Sequence, residues 1–545
     1  MTADRPIVIG LNLGHDAGAA LLAGQQMVAI SEERLNRTRY SGGWHASLAY
    51  CLDAADVAMD QVDQVVFSCV GPYLPRGFTG GLDRYGMHPG RISAVDHHLS
   101  HAYSAFCLSG FDEALVVVAD GAGNDAWTES YYLAGASGLA RVGGNRAARP
   151  RAGGIGATYT AVSNWLGFDA QEAGKTMALA AYGDPTAIGA PLFDLNGAMV
   201  EGRLARTHEQ GLADYAEAAG IELGPRRTWS GRRPADLAAW VQAETERVLI
   251  GVVGALLAEH GRRPVCLAGG VAMNCVANEA LRAALRVEVF VPPPASDRGQ
   301  ALGNALYGIH RLTSELPRLP ITADAFGRTY CDEEIRLALR RHPRSGLAAR
   351  HPRPGFSWRT EEDPAALAAQ LIAAGLLVGW FDGGSELGAR ALGGRCILAD
   401  PRHEHIRDVL NTRIKHREVF RPFAPAVLDE DADTWFAVDG PSPFMLRAVP
   451  VRAGRQAEVP AVVHVDGTAR VQTVGAAHRP AFHRLISLFG TLTGVPMVVS
   501  TSFNDSEPIV ETPAHALATF LGTGLDALII NGPGGGGYAA EKTNE

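Results

Sequence analysis

Two histidines four residues apart, His97 and His101 in DHHLSHAYSAF, share one face of a helix and can chelate a single metal ion. His98 projects about 100° away from His97 and is the poorer ligand. The plainer reading of the pair is two satisfied histidines on a helix surface. Asp120 stands where the run LVVVA gives way to a Gly-Ala-Gly turn. A carboxylate at the C-terminal end of a buried strand faces the usual ligand crevice of an α/β sheet, although turn capping accounts for it equally. Asp297 follows Ser296 at a helix start, where capping is the default role. If the four converge, two nitrogens and two oxygens make a site suited to iron or another divalent first-row metal.

A second group of residues has the chemistry of phosphate binding. Gly269 and Gly270, between the strand PVCLA and the next helix, let backbone N–H groups approach a phosphate, and tight packing explains such a pair as well. Lys175 follows Gly174 in QEAGKTMALAAYGD and can neutralise phosphate charge or stand as an ordinary surface lysine. Far along the chain, Arg390 and Arg395 lie in SELGARALGGRCILADPR, and Arg413, Lys415, Arg417 and Arg421 in NTRIKHREVFRPFAP. Arg470 in GTARVQT and Ser502 and Asn504 in STSFND follow. Cations set among apolar residues and glycines point to an anion pocket more than to a solvated face. The implied substrate is small and phosphorylated.

The elements that must position these residues alternate between strands and helices, which means an α/β fold with a mainly parallel or mixed sheet. PIVIGLNLGHDAGAALLAG and EALVVVADGAGNDAWTESYYLAG share one plan, a strand, an Asp in a glycine-bearing turn, and a second strand. Two such units suggest a duplicated domain. A helix is expected over 237–260, closed by Gly261, and another over 299–312 capped by Ser296 or Asp297. With 545 residues the chain exceeds one ordinary core. Prolines and arginines crowd 314–360, so the reading is a first domain at 1–325, a solvated connector at 326–360 and a second domain at 361–545 with a flexible tail. There, Asp363 should cap a helix whose first turn holds Pro364.

Composition narrows the function. A hydrophobic content of 47%, 20% charged residues and a mean hydropathy of +0.00 describe a globular protein. The net charge of −9 argues against a nucleic-acid partner, which needs a basic surplus. Seven scattered cysteines with no C-x-x-C exclude a disulfide framework and a cysteine zinc site. The longest apolar helical run, near Val248–Ala258, is short of the roughly 20 residues that span a bilayer. A soluble, cytoplasmic protein with no membrane partner is expected; nothing in the sequence speaks to its oligomeric state.

Nine motifs in order, GHDAGAALL, HHLSHAYSAF, VVVADGAG, AGKTMALAAYG, LAGGVAMNC, PPPASDRGQALG, ELGARALGGRCIL, KHREVFRPFAP and STSFND, resemble the O-carbamoyltransferases of antibiotic tailoring and nodulation-factor biosynthesis. The resemblance implies an N-terminal actin-like ATPase domain, similar to the protein that transfers threonylcarbamoyl to tRNA, and a C-terminal YrdC-like α/β domain. It implies activation of carbamoyl phosphate by ATP, taken as the Mg2+ complex, to carbamoyl adenylate, then transfer to a hydroxyl of a natural product. It makes His97, His101, Asp120 and Asp297 ligands of Fe2+ or a similar divalent ion, and His15 the base that deprotonates the acceptor. Lys175, Gly269, Gly270 and Asn274 become nucleotide-binding, and Arg390, Lys415, Arg421, Arg470, Ser502 and Asn504 bind carbamoyl phosphate and ATP. A histidine near neutrality suits the base role.

Two neighbouring enzyme classes and one binding class compete. The tRNA threonylcarbamoyl-transfer protein lacks a fused second domain of this kind. Hydrogenase-maturation carbamoyltransferases add C-x-x-C pairs and an acylphosphatase region that this sequence does not show. A non-catalytic actin-like scaffold has no need of the arginine-rich second domain. Residues 72–92 and 205–233 read as loop-rich candidates for an acceptor lid.

Overall fold

The computed structural model describes residues 6–69, 78–83, 86–147, 153–204, 208–341 and 355–543. They divide into two compact units. The first runs to Glu32 and resumes over Tyr40–Ile321; the second takes Glu33–Arg39 and the chain from Thr322 onward.

The first unit holds two five-stranded sheets. One is built from β1 (Ile7–Asn12), β2 (Gly18–Ala23), β3 (Gln26–Ser31), β4 (Gln64–Ser68) and β5 (Ile92–Ala94), in the order β3-β2-β1-β4-β5. The other uses β6 (Ala114–Ala119), β7 (Trp127–Gly135) and β8 (Gly138–Arg146). A small hairpin, β9 (Phe193–Asn196) with β10 (Met199–Gly202), precedes its last strands, β11 (Val265–Ala268) and β12 (Val289–Phe290). The second sheet runs β8-β7-β6-β11-β12. In both sheets the first three strands in sequence are antiparallel neighbours and the two later strands add in parallel to the first. The central strands IVIGLN and ALVVVA are buried along nearly their whole length. That burial suits β-branched residues packed on both faces. Both central strands end at the turns that carry the candidate chemistry.

Two close approaches set the helices behind this sheet pair. At Gly303, in the helix Gln300–Thr313, an added Cβ would lie 2.0 Å from the Ser100 carbonyl oxygen, so only glycine lets it touch the helix His97–Cys107. At Gly10 of β1 an added Cβ would lie 1.9 Å from the Ala301 carbonyl oxygen. The helix expected over 237–260 extends over Arg232–His260, starting after Gly231 and ending at Gly261, both at positive φ.

The second unit is built on one eight-stranded mixed sheet. Its strands are β13 (Gly355–Glu361), β14 (Val378–Phe381), β15 (Arg395–Ala399), β16 (Ala424–Leu428), β19 (Gln472–Val474), β20 (Met497–Ser502), β21 (Ala527–Asn531) and β22 (Gly537–Thr543). A separate pair is formed by β17 (Ala448–Pro450) and β18 (Thr468–Arg470). The large sheet runs β13-β22-β21-β14-β15-β20-β16-β19, with parallel pairing only at β14/β21 and β16/β19. Asp363 caps the helix Pro364–Ala373 by accepting from Ala366 N at 3.1 Å.

Three expectations change here. The expected connector is largely part of the second unit. The helix Asp332–Arg340 buries Ile335 and Leu339 in its core, and β13 pairs with β22 along seven residues. Two apolar residues four apart were enough to dock a helix otherwise rich in charge; residues 342–354 lie outside the described residues. The expected lid at 205–233 contains the helix His208–Ala219, with Leu212 and Ala216 buried. Of the other lid stretch, residues 72–77 and 84–85 lie outside the described residues, as do 205–207. Neither Ser296 nor Asp297 caps the helix Gln300–Thr313, because a short 3-10 turn, Asp297–Gly299, intervenes and frees the Asp297 carboxylate.

Candidate active site

Asp96 caps the helix His97–Cys107 through Leu99 N at 2.9 Å, which presents His97 and His101 on one buried face. Both Nε2 atoms converge on two carboxylates. Asp120 Oδ2 lies 3.3 Å from His97 and 3.2 Å from His101, and Asp297 Oδ1 lies 3.4 and 3.3 Å from the same two atoms. The two aspartates are far apart in sequence, one at the C-terminal end of β6 and the other at the turn before the helix Gln300–Thr313. Asp120 serves both readings offered by the sequence. Its Oδ1 accepts from Gly121 N at 2.7 Å and Gly270 N at 3.3 Å, which leaves Oδ2 aimed at the histidines.

The donor set fits a divalent metal. Four ligand atoms, two imidazole nitrogens and two carboxylate oxygens, lie within 4.8 Å of one another. Donors on a tetrahedral ion with bonds of about 2.1 Å stand about 3.4 Å apart, close to the spacings here. Without a cation the cluster needs protons. Burial opposes a charged His97, but the Asp297 and Asp120 carboxylates outweigh it and push its pKa up to about 10. Burial would raise the Asp120 pKa, yet its bonds to His101 and His97 hold it well below the usual carboxylate range. His98 turns away, as its helical angle predicted. It bonds Ser130 Oγ at 2.8 Å, and burial followed by the His97 charge lowers its pKa to about 3.

His15 stands at the edge of this cluster, in the turn after β1, with its side chain 57% exposed. Its Nε2 is 3.5 Å from Asp297 Oδ2 and its Nδ1 3.5 Å from Asp16 Oδ2. A bond to Asp16, opposed by burial and reinforced by Asp297, pushes its pKa up to about 9. The two carboxylates beside it thus favour the charged imidazole. The residue that fixes this corner is Asn12, which the sequence reading passed over. Its amide donates to the carbonyls of His15 at 3.2 Å, Asp16 at 3.1 Å and Asp297 at 3.1 Å. A buried Asn at a strand end before a Gly-His-Asp turn was the available signal.

The four nucleotide candidates separate by what their side chains already do. Gly269 has φ +89 and an added Cβ would lie 2.2 Å from the Ala119 carbonyl oxygen. Its first task is to bring Gly270 N onto Asp120. Asn274 caps the helix Cys275–Leu285 through Ala277 N at 3.0 Å, and its amide exchanges bonds with Gln242. The Asn274 side chain is thus committed to the helix cap and to Gln242. Lys175 pairs with Glu172 at 2.6 Å. Its helix approaches the same turn through Met177 and Cys275, whose sulfurs are 3.8 Å apart.

In the second unit the cations sort into a pocket and a frame. Arg417 is pushed well below its ordinary pKa by burial and then by Arg421, Arg470 and Arg390. Burial depresses Lys415 too, with Arg417, Arg421 and Arg39 adding to it against the pull of Glu507. These cations lie near one another. The Lys415 ammonium donates to Ser502 O at 2.5 Å, Asn504 O at 2.7 Å and Asn504 Oδ1 at 2.9 Å, which joins Ser502 and Asn504 to the pocket. Arg413 and Arg395 belong elsewhere. Arg413 pairs with Asp526 at 2.5 Å. Arg395 is fully buried over the Phe381 ring and donates to the carbonyls of Asp382, Gly383 and Gly394 at 3.0 Å each. Arg39 is the member no local motif announced, since it lies some 350 residues before its neighbours.

A duplicated pair of sheets with identical strand order, carrying acidic turns at the ends of both central strands, makes the first unit a duplicated α/β domain. Residues 78–306 match the family Carbamoyltransferase N-terminus and residues 369–533 match Carbamoyltransferase C-terminus. Nodulation protein NolNO of Sinorhizobium fredii is 34% identical, across 97% of this chain and 79% of that protein. An uncharacterized protein of Synechocystis sp. is 32% identical across 95% and 94%. Nodulation protein NolO of Bradyrhizobium diazoefficiens is 35% identical across 80% and 78%. The chain belongs to the carbamoyltransferase family and is a carbamoyltransferase. No helix among the described residues is long and apolar enough to cross a membrane.

Proposed function

We propose that this carbamoyltransferase is ATP-dependent and works in two stages, one in each unit. The second unit, read as YrdC-like, takes carbamoyl phosphate, water and the Mg2+ complex of ATP: hydrolysis of carbamoyl phosphate gives carbamate and phosphate, and a carbamate oxygen attacks the α-phosphorus of ATP, releasing pyrophosphate and leaving carbamoyl adenylate. The first unit then passes the carbamoyl group to a hydroxyl of a natural product, with AMP as the leaving group. The observation that carries this reading is the gathering of Arg421, Arg470 and Arg390 near the buried Arg417, with Lys415 near Arg417 and Arg421. Burial and neighbouring cations disfavour the charged forms of Arg417 and Lys415; a polyanion stabilises such cations, and phosphates supply that charge.

His97, His101, Asp120 and Asp297 would hold Fe2+ or a similar divalent ion, which would act as a Lewis acid on a phosphate oxygen. Asn12 holds the His15 turn against the Asp297 backbone, so the acceptor base and the ligand set share one frame. His15, between Asp16 and Asp297, would take the hydroxyl proton in its neutral form. Release of pyrophosphate that depends on carbamoyl phosphate tests the first stage. ATP turnover indifferent to carbamoyl phosphate would remove the adenylate mechanism.

A further inference from the structure

The chain leaves the first unit for only seven residues, Glu33–Arg39, which cluster with the second unit. They lie outside both stretches that match the carbamoyltransferase families. Two of them reach the walls of the cation pocket. Arg34 is 1% exposed and its guanidinium donates to the Gly388 carbonyl at 2.8 Å, two residues before Arg390. Arg37 donates to the carbonyls of Ile509 at 2.7 Å and Pro508 at 2.5 Å and stands 3.8 Å from Glu507. That turn fixes Asn504, whose amide donates to the Glu507 carbonyl at 2.7 Å, and Asn504 in turn holds Lys415.

The strap has little freedom. Arg37 sits at φ +63, a backbone state that a non-glycine residue holds only when its surroundings enforce it. On the N-terminal side, Glu32 N donates to the Ala17 carbonyl at 2.8 Å. The Glu32 carboxylate accepts from Ala46 N and Ser47 N at 3.1 and 2.8 Å. The strap thus starts from an anchored residue next to the His15 turn in sequence pairing. Burying a guanidinium is costly, and a plain linker needs no such group.

We propose that Glu33–Arg39 is a built-in wall of the donor pocket, and that Arg34 and Arg37 are positioning residues for carbamoyl activation. Arg34 sets the loop that carries Arg390. Arg37 sets the turn that carries Asn504 and, through it, Lys415. The proposal rests on reading the pocket as the donor site. Lysine keeps the charge at either position but loses the planar fork that reaches a carbonyl from a fixed geometry.

The test is titration calorimetry of carbamoyl phosphate into the full chain, beside thermal melting, for Arg37→Lys, Arg34→Lys and Arg390→Ala. The expected result is an affinity at least fivefold weaker in each lysine variant, with the KM for carbamoyl phosphate raised in proportion. The melting midpoint of at least one lysine variant should stay at the wild-type value. Wild-type affinity in a folded lysine variant, with Arg390→Ala weakened, overturns the strap proposal and leaves the donor-pocket reading standing. Loss of affinity only in proportion to a lowered midpoint in both lysine variants also overturns it, since that is a structural role. Wild-type affinity in Arg390→Ala removes the donor-pocket reading and the strap proposal with it.

Discussion

His15 Nε2 lies 3.5 Å from Asp297 Oδ2, while the other oxygen of the same carboxylate lies 3.4 Å from His97 Nε2. One side chain therefore faces both His15 and the cluster of His97, His101 and Asp120. Replacing Asp297 with Asn should cost metal content and transfer together. His101→Ala should cost the metal while leaving the His15 turn, held by Asn12, in place. Elemental analysis of purified protein should find close to one divalent ion per chain in the wild type and less than a tenth of that in His101→Ala. Full occupancy in His101→Ala would remove that residue from the site. Ligation needs neutral histidines, so protons compete with the ion and occupancy should fall as pH is lowered.

Arg413 and Arg417 lie four residues apart and should differ sharply. Arg413 spends its charge on Asp526 with 41% of its side chain exposed. Its replacement by Ala should cost about 0–1 kcal/mol of stability and leave carbamoyl phosphate affinity within twofold. Arg417→Ala removes a buried pocket cation and should weaken that affinity by about tenfold or more, in line with roughly 1.5–3 kcal/mol for a bond to a charged group. Equal effects in a binding titration would erase the distinction between pocket and frame.

Asp324 supplies a pH signature for the second unit. It is fully buried, and its carboxylate accepts from Leu387 N at 2.8 Å and Gly388 N at 2.9 Å. Burial pushes its pKa up to about 7. Below about pH 4 the group is protonated folded and unfolded, and it adds no pH dependence. Between about 4 and 7 the unfolded chain gives up the proton first, so stability falls as pH rises, by at most about 1.4 kcal/mol per unit. Above 7 the loss is complete. Asp324→Asn has no such proton, so in urea unfolding its stability relative to wild type should improve from pH 5 to pH 8. A difference that stays constant over that range would show that Asp324 keeps an ordinary carboxylate pKa.

The turns at the strand ends were legible because their chemistry is local. An Asp after LVVVA, two histidines on one helical face and the Asp363-Pro364 helix start each carry their signal within a few residues. What stayed hidden depended on distant partners. Asp297 looked like a cap until a 3-10 turn carried its carboxylate to histidines some 200 residues earlier. Arg395 and Arg413 looked like pocket members because sequence proximity does not say which cations meet a carbonyl or a carboxylate instead. Ile335 and Leu339 were lost in a field of arginines, although two buried side chains sufficed to seat their helix. Arg34 and Arg37 gave no local sign at all, since their partners lie some 350 and 470 residues away.

The central claim is a division of labour between the two units, and a rescue experiment reads it directly. Arg390→Ala and His15→Ala are each assayed for pyrophosphate release from ATP and carbamoyl phosphate, then for acceptor modification with synthetic carbamoyl adenylate supplied. Arg390→Ala should lose pyrophosphate release and regain transfer when the adenylate is added. His15→Ala should keep pyrophosphate release and leave the acceptor unmodified with or without it. Equal rescue of both variants, or loss of pyrophosphate release in a folded His15→Ala, would contradict the two-stage account.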